Sequence, residues 1–408
     1  MNESALPPLV IGSHRAPVLP DVLQEHLEEV AFLSIQRRRL LFSPELSLLE
    51  LGDHDERISA HWEGLVLGGP ASVHLALERM EAFDPWESAA ALRVWMELGE
   101  PTREEITSAQ DAAEEEVVPS WREALRQIPG ARLQELFPPA DPLPDSPRLQ
   151  GVLAYAWGWH QILPDSLASK LAFSSDPDVR WSVARSLGWR EFSRDGPQLL
   201  SALLTDPEED VHRAALWSGT LLDPAKALVV ARERLSSEPS DPFAARVLGL
   251  LGEASDGERL KQLARHEDAG PACVLALGEL GDLAAMDLLL ELVGGEDEAL
   301  AQAAKGAMEA LLGEVPAPLE TPEAPAPSEL EGIREAWEEM SPSFQDRGGI
   351  RWLRGRPFPW EGPPSEEPME SLWRRSLLVS GSENLWLRRE VPDGFFSGLP
   401  SLEAVPGA

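Results

Sequence analysis

The stretch DPDVRWSVARSLG, residues 176–188, decides the fold because its pattern returns along the following part of the chain. The returns open on Asp206, Asp241, more loosely Asp268, and Asp297. These aspartates and Asp176 are 30, 35, 27 and 29 residues apart. A period of this size is typical of stacked helical repeats. The sequence therefore predicts an array of helix pairs between about residues 148 and 314.

Each repeat has a physical explanation in its first helix. An Asp-Pro pair supplies an N-cap oxygen and then a residue whose missing N–H costs nothing in the first turn. Small residues follow at a nearly constant distance, and they predict close approach of neighbouring helices: Ala184, Ala214, Gly249, Ala276 and Ala304. A leucine-rich second helix follows, and because one pair cannot bury its apolar face alone, neighbouring pairs are expected to stack.

This pattern resembles the HEAT and HEAT-like repeats, in which Asp-Pro-x-Val-Arg opens a helix that ends near Leu-Gly. The resemblance covers roughly residues 150–314 and is strongest over 176–188. It implies an all-α fold, an α-α superhelix, and we expect a small C-terminal module after it.

The proline content predicts where the domains separate. Residues 137–147 and 315–328 each contain five prolines, which favours extended connectors. The predicted order is an N-terminal helical domain (1–137), a connector (138–147), the repeat array (148–314), a linker (315–328) and a Trp/Arg-rich module (329–408). Within the outer domains, helices are expected at 21–42, 86–98, 102–113, 331–340, 368–379 and 384–389.

Composition and charge exclude several classes of protein. The 408 residues are 43% apolar but contain no apolar run long enough for a membrane span, and no secretory signal is visible at Met1–Pro17. Cys273 is the only cysteine, so no intrachain disulfide forms and a cytoplasmic location is expected.

The formal net charge of −35 is spread over the whole chain. Such a field repels nucleic acid and anionic membranes, although acidity also serves ordinary solubility. The sequence therefore predicts no nucleic-acid partner and no membrane partner. A charged protein partner is expected to have a basic surface.

A second resemblance lies near the N-terminus. The segment LLELGDHDER, residues 48–57, followed by AHWEGL, residues 60–65, resembles the N-terminal signature of a proteobacterial family expanded in myxobacteria. That family has HEAT-like repeats, and some members are encoded among type VI secretion genes. The resemblance implies a role beside a type VI secretion effector, as adaptor, cognate binder or immunity factor.

No pattern predicts a catalytic residue, a metal or a cofactor. His54, His61 and His74 lie near acidic residues, but their offsets are loose for a metal site, and bonds between neighbouring helices are the favoured interpretation. HEAT-like iron hydroxylases use several His-Glu dipeptides, whereas this chain has one, at 266–267. Phosphate-loop, dinucleotide-binding and Gly-x-Ser-x-Gly motifs are absent from the sequence.

The aromatic segment Tyr155–His160 is the basis of an alternative interpretation, in which the protein is an enzyme. Bilin lyases are HEAT-like enzymes, so a lyase or small-molecule enzyme with a pocket beside Trp157 and Trp159 is one interpretation. The favoured one is that this segment caps the open first repeat of the array. A surface that binds nothing specific is a third hypothesis.

Two sets of residues are candidates for partner binding. Asp178, Glu209, Asp210 and Trp217 are expected near the lip of an acidic groove formed by first helices of the array. The tail alternates arginine with tryptophan, a composition typical of interface hot spots, and its candidates are Arg351, Trp352, Arg354 and Trp360. The favoured alternative for the tail is a tryptophan core with arginines that are solvated or paired with the chain's own acidic array. The sequence thus predicts a non-enzymatic, protein-binding scaffold or adaptor.

Overall fold

The computed structural model describes residues 9–11, 14–16, 19–40, 48–80, 84–114, 117–140, 142–189, 196–265, 270–313, 327–345, 351–353 and 356–358. The chain divides into two compact units, residues 1–218 and 219–408. The boundary between the units falls inside one helix, Glu209–Leu222, within the predicted array.

The first unit is built from helices and one short hairpin. In the hairpin, β1 (Leu9–Ile11) pairs antiparallel with β2 (His14–Ala16). The helices are α1 (Pro20–Leu40), α2 (Leu48–Gly68), α3 (Pro70–Arg79), α4 (Pro85–Leu98), α5 (Arg103–Ala112), α6 (Val118–Gln127), α7 (Gly130–Leu136), α8 (Pro147–Trp159), α9 (Asp165–Leu171), α10 (Pro177–Leu187), α11 (Gly196–Leu203) and α12 (Glu209–Leu222).

The second unit is also built from helices and one short hairpin. Its helices are α13 (Pro224–Ser237), α14 (Pro242–Leu251), α15 (Ala254–Ala264), α16 (Gly270–Leu280), α17 (Met286–Val293), α18 (Glu298–Leu312) and α19 (Pro327–Gln345). A 3₁₀ turn, Leu283–Ala285, precedes α17. A hairpin of β3 (Arg351–Leu353) and β4 (Arg356–Phe358) follows α19, and β3 contacts α16 and α18.

Helices of each unit stack in a row. In the first unit α1 packs on α4, α4 on α6, α6 on α8 and α8 on α10, and the Ser218 hydroxyl of α12 donates to the Ala184 carbonyl of α10. In the second unit α14 packs on α16 and α16 on α18, while α13, α15 and α17 pack beside them. The predicted all-α fold of stacked helix pairs is therefore confirmed within each unit.

The helix starts follow the predicted capping chemistry. The carboxylates of Asp176, Asp241 and Asp297 each accept a hydrogen bond from a backbone N–H in the first turn of α10, α14 and α18. The Asp206 carboxylate accepts from the Glu208 N–H just before α12 begins and also from the Arg180 guanidinium. Asp268 lies outside the described residues. Three of the five aspartates thus cap first helices of the predicted repeats.

Small residues let the stacked helices approach closely. A Cβ at Gly249 of α14 would lie 2.7 Å from the carbonyl oxygen of Ala276 in α16, and a Cβ at Gly158 of α8 would collide with Ser186 of α10. At Gly278 of α16 a Cβ would lie 2.5 Å from the Cα of Ala307 in α18. Gly249 and Ala276 thus have the close-packing role predicted for them.

The aromatic helix α8 does not cap the stack. It lies between α6 and α10, so the prediction that Tyr155–His160 shields an open first repeat is wrong. Helix α6 lies before the predicted connector in the sequence and α8 lies after it. Because these two helices pack together, the row of helices continues past the connector. The two compact units divide after residue 218, inside the predicted array.

Other helices agree with the sequence in part. The expected helices at 21–42, 86–98 and 102–113 correspond to α1, α4 and α5. At the start of α5, the Thr102 hydroxyl and the Glu105 carboxylate form a capping box. The helix expected at 331–340 is longer, since α19 begins at Pro327 in the predicted linker. The helices expected at 368–379 and 384–389 lie outside the described residues.

Replacement of Gly278 tests whether close approach limits the stability of the second unit. Gly278→Ala should destabilise the protein by about 1–3 kcal/mol, since the added methyl overpacks against the backbone of α18. Gly52→Ala is the matched control, because no atom lies within 4 Å of the new Cβ and alanine favours the helix by about 0.5–1 kcal/mol. Urea unfolding of both variants measures whether each substitution lowers or raises the free energy of unfolding. An unchanged midpoint for Gly278→Ala would contradict the packing argument.

Bidentate ion pairs join successive segments of each unit. The Arg180 guanidinium donates to both Asp206 oxygens at 2.8 and 3.0 Å, and Arg232 donates to both Asp256 oxygens at 2.8 and 2.7 Å. Burial alone would raise the pKa of Asp206, but hydrogen bonds from Arg180 and the Glu208 amide lower it. Because these carboxylates are held ionised, the pairs stabilise the helix connections.

Neutralising Asp206 should therefore weaken the first unit. Asp206→Asn is expected to cost about 2 kcal/mol of unfolding free energy, since it removes charge-assisted hydrogen bonds from a nearly buried guanidinium. Glu209→Gln, which disturbs a half-exposed pair with Arg213, should cost no more than about 0.5 kcal/mol. Chemical denaturation at neutral pH compares the two. Equal losses would show that burial of the pair does not matter.

Candidate functional site

A set of stacked arginine and aromatic side chains runs across four consecutive row helices of the first unit. We call it the arginine–aromatic ladder, and its members are Arg122 and Arg126 of α6, Tyr155 and Trp159 of α8, Trp181 and Arg185 of α10, Trp189 just after α10, and Trp217 of α12. Energetically significant cation–π pairs occur about once per 70–80 residues in proteins. The ladder contains four such contacts from three arginines, two at the accessible Arg122 and Arg126 and two at the buried Arg185.

The accessible part of the ladder spans α6, α8 and α10. The Arg122 guanidinium lies 4.7 Å from the ring centre of Trp181, and that of Arg126 lies 4.5 Å from the ring centre of Trp159. Tyr155 and Trp181 have nearly parallel rings, with an interplanar angle of 4° and centroids 5.9 Å apart. All five side chains belong to residues that are only partly exposed. They therefore form a fixed surface that solvent still reaches.

The deep part of the ladder is buried. Trp189 contacts Tyr155, Trp159 and Trp217 edge-to-face, with centroids 4.8, 5.4 and 6.1 Å apart. The Arg185 guanidinium lies 3.6 Å from the ring centre of Trp217. Because Arg185, Trp189 and Trp217 are excluded from solvent, they anchor the accessible part rather than contact a partner.

Helical periodicity explains why these side chains share a face. Arg122 and Arg126, Tyr155 and Trp159, and Trp181 and Arg185 are each four residues apart, which places both members on one side of a helix. Trp157 is two residues from Tyr155 and points away, with its indole N–H donating to the Phe137 carbonyl at 3.0 Å. Sequence reasoning missed Arg122, Arg126, Trp181, Arg185 and Trp189, although this four-residue spacing of Arg and aromatic residues was a usable signal.

A carboxylate that is only 17% exposed fixes the orientation of Arg126. The Glu123 oxygens accept from Arg126 Nε at 3.1 Å and Arg126 Nη2 at 2.5 Å, and Glu123 Oε1 also accepts from Gln127 at 2.6 Å. Burial would raise the pKa of Glu123, but the charge and hydrogen bonds of Arg126, the Gln127 amide and the charge of Arg38 together lower it to about 2. Arg126 is therefore oriented by an ionised partner.

A second stack continues this network toward α4. The Arg93 guanidinium lies 3.6 Å from the ring centre of Trp62 in α2 and donates to Gln127 of α6 at 3.2 Å. It also donates to Glu97 at 2.7 Å, yet burial raises the pKa of Glu97 more than Arg93 lowers it. Two carboxylates on neighbouring row helices thus differ in the direction of their pKa shift because Glu123 has more hydrogen-bond donors.

The acidic residues predicted at a groove lip do not form a purely acidic set. Asp178 is highly exposed, and its carboxylate lies 3.8 Å from Arg122 Nη2. Glu209 pairs with Arg213 at 3.0 Å, and Asp210 is exposed. Trp217 has only 2% of its surface exposed, so its predicted place at a lip is wrong: it is part of the buried ladder.

The predicted tail site is described only in part. The backbones of Arg351 and Trp352 lie in β3, which packs on α16 and α18. Their side chains, and the whole of Arg354 and Trp360, lie outside the described residues, so the tail site stays a prediction.

His54 and His61 bond between helices, as the favoured interpretation predicted, whereas His74 lies 3.6 Å from Glu78 of its own helix. His54 contacts the Leu33 carbonyl at 2.8 Å, and the Nδ1 atoms of His26 and His61 are 3.1 Å apart, which joins α1 to α2. Asp55 accepts from Arg37 at 2.6 Å across the same helices. No group of three or more metal-ligating side chains occurs in the described ranges, and the dipeptide 266–267 falls outside them.

The region of the alternative enzymatic pocket is tightly packed. Trp157 is buried, and the ring of His160 contacts the Leu125 carbonyl at 3.2 Å. A groove of about 730 Å³ lies elsewhere, between the segment Pro142–Asp145 and helices α8 and α9, where Gln150, Lys170 and Leu171 line it. Its lining includes no residue of Tyr155–His160.

Comparison with known proteins gives no assignment, since no protein-family model and no curated protein significantly matches the chain. Within the described ranges, none of the helices combines the length and the hydropathy needed to cross a membrane. The ladder is therefore the feature from which a function can be argued.

The low pKa of Glu123 predicts how acid affects stability. A carboxyl with a folded pKa of about 2, against an ordinary value of 4.5, stabilises the fold above about pH 4.5 and loses that contribution as the pH falls toward 2. Glu123→Gln should lower stability at neutral pH by roughly 2 kcal/mol and should flatten the pH dependence between pH 5 and 3. Urea unfolding at several pH values measures both quantities.

Glu135→Gln serves as the control for this measurement. Its carboxylate pairs with Arg132 but is 70% exposed, so the stability and its pH dependence should change little. If the two variants had the same pH profile, Glu123 would not be the group that titrates.

Proposed function

We propose that the protein is a non-enzymatic scaffold or adaptor that binds another protein on the accessible part of the arginine–aromatic ladder. The observation that carries this proposal is a stack of side chains that packs on buried rings and is still partly exposed to solvent. Its members are Arg122, Arg126, Tyr155, Trp159 and Trp181. Tryptophan, tyrosine and arginine are the residues most enriched in interface hot spots.

Pre-organisation supports this proposal. Binding is costly when side chains must be ordered at the interface, by about 0.5–1.5 kcal/mol for each flexible one. Here the guanidinium groups are already held over ring faces, and Glu123 fixes Arg126 with two hydrogen bonds. A partner would therefore meet a rigid surface, so more of the contact energy would remain for affinity.

The partner's biological class rests on the resemblance of residues 48–65 alone. We propose a cytoplasmic role beside a type VI secretion effector, as adaptor, cognate binder or immunity factor. The basic partner expected from the net charge of −35 would use the exposed carboxylates Asp178 and Asp210. The tail hairpin, which packs on α16 and α18, is a second contact candidate for such a partner.

Substitution of the stacked rings tests the proposed surface. The double variant Tyr155→Ala/Trp181→Ala should lose at least tenfold in partner capture, because truncated hot-spot aromatics commonly cost about 2 kcal/mol or more. Capture from native lysate, quantified by mass spectrometry, compares this variant with the wild type. The matched control is Phe173→Ala, an aromatic that is 73% exposed just beyond α9 and outside the ladder.

Thermal unfolding of both variants separates lost binding from lost folding. The proposal predicts that proteins captured by the wild type and by Phe173→Ala disappear from the ladder variant while it remains folded. If the folded ladder variant captures the same proteins in the same amounts, the ladder is not a binding surface.

A further inference from the structure

We propose that His26 of α1 and His61 of α2 form a binding site for a divalent transition-metal ion of the kind that imidazole prefers, such as Cu²⁺ or Zn²⁺. We call these two residues the histidine pair. The inference goes beyond the proposed function, because the pair lies on the first two helices and includes no member of the arginine–aromatic ladder.

The two rings are placed like a pair of ligands to one ion. Their Nδ1 atoms are 3.1 Å apart, and their planes make an angle of 69°. Two nitrogens that each lie about 2.0–2.1 Å from one ion are about 3.3 Å apart in a tetrahedral site and about 2.9 Å apart in a square-planar one. The observed separation falls between these values, so both nitrogens can bond a single ion after a small rotation of the rings.

The pair differs from the other buried and half-buried histidines that the structure describes. Three of them, His54, His160 and His212, each have a ring nitrogen 2.8, 3.2 and 2.7 Å from a backbone carbonyl oxygen. His26 and His61 have only each other as hydrogen-bond partners within the described part of the chain. Neither ring is therefore committed to the backbone.

The chemistry of imidazole allows the exchange of this hydrogen bond for an ion. The bond requires one Nδ1 to carry a proton and the other to accept it. That proton can move to Nε2 of its own ring, since neutral imidazole has two tautomers. Both Nδ1 atoms of the pair then offer a lone pair, and both rings remain neutral, as metal ligation requires.

Packing of α1 on α2 holds the two histidines opposite each other. A Cβ at Gly64 would collide with the His26 ring, so the glycine lets this ring lie against the backbone of α2. His61 is three residues before Gly64 and therefore lies on the same side of α2. Farther along the same helices, Arg37 bonds to Asp55 at 2.6 Å. Because both helices are held together in this way, little order is lost when an ion binds.

An ion can reach the pair from solvent. Both histidines are partly exposed, and the net charge of −35 concentrates cations near the chain. Arg57, four residues before His61, opposes a cation, but it is exposed, so water and salt screen its charge. Since no group of three or more metal-ligating side chains occurs in the described ranges, water completes the coordination. Such an open site exchanges its ion, unlike a closed four-ligand zinc site.

Metal titration of the untagged, full-length protein, after treatment with a chelator, tests the inference. Isothermal titration calorimetry should show saturable binding of Cu²⁺ and weaker binding of Zn²⁺, in the order expected for nitrogen ligands. His26→Ala and His61→Ala should each weaken the site at least tenfold, because even the loss of a residue behind a ligand costs about 10–100-fold in metal affinity. No saturable binding by the wild type would overturn the inference.

His74→Ala is the matched control. His74 is an exposed helical histidine 3.6 Å from Glu78, so these two side chains are the rival place for an ion. The control should bind the ion as the wild type does, and circular dichroism should show all three variants folded. Loss of binding in His74→Ala alone, or unchanged binding in both variants of the pair, would overturn the inference.

Electron paramagnetic resonance of the wild type with one equivalent of Cu²⁺ gives a readout that needs no variant. The spectrum should show coupling of the copper to two imidazole nitrogens, and coupling to one or to none would overturn the inference. The ion should also shift the thermal unfolding midpoint of the wild type upward, because it binds the folded state, and should not shift that of His61→Ala.

Discussion

Close approach of consecutive row helices is the constraint on which the rest of this structure depends. The backbones of consecutive row helices meet most closely where the facing residue is a glycine, and Gly158, Gly249 and Gly278 each leave no room for a Cβ. Because packed interiors are close to crystal density, such contacts fix the rotation of each helix about its axis. That rotation decides which side chains of successive helices meet.

The ladder is a consequence of this fixed rotation. Tyr155 of α8 can stack on Trp181 of α10 because Gly158, on the same helix, brings the two backbones together at Ser186. The buried end at Trp189 and Trp217 then holds the accessible end in place. Polar chemistry adds to this order: Glu123 remains ionised and orients Arg126. Packing and electrostatics thus produce one rigid surface in an otherwise acidic chain.

Arginine has two roles in this protein, and the distances distinguish them. Arg180 and Arg232 form bidentate bonds with nearly buried carboxylates, so they join helices and stabilise the fold. Arg122 instead stacks on the partly exposed ring of Trp181, with 4.7 Å between its guanidinium and the ring centre. Total charge does not separate these roles, because it averages over groups whose neighbours differ.

The repeat fold can be read from the amino-acid sequence. Asp176, Asp241 and Asp297 are N-caps as predicted, and Gly249 has the packing role predicted for it, because capping and close contact depend on residues near in sequence. By contrast, the packing of distant helices places α8 inside the row and buries Trp217. It also brought Arg122 of α6 to Trp181 of α10. Such pairings depend on the rotation and spacing of helices that are distant in sequence, and no local pattern encodes these.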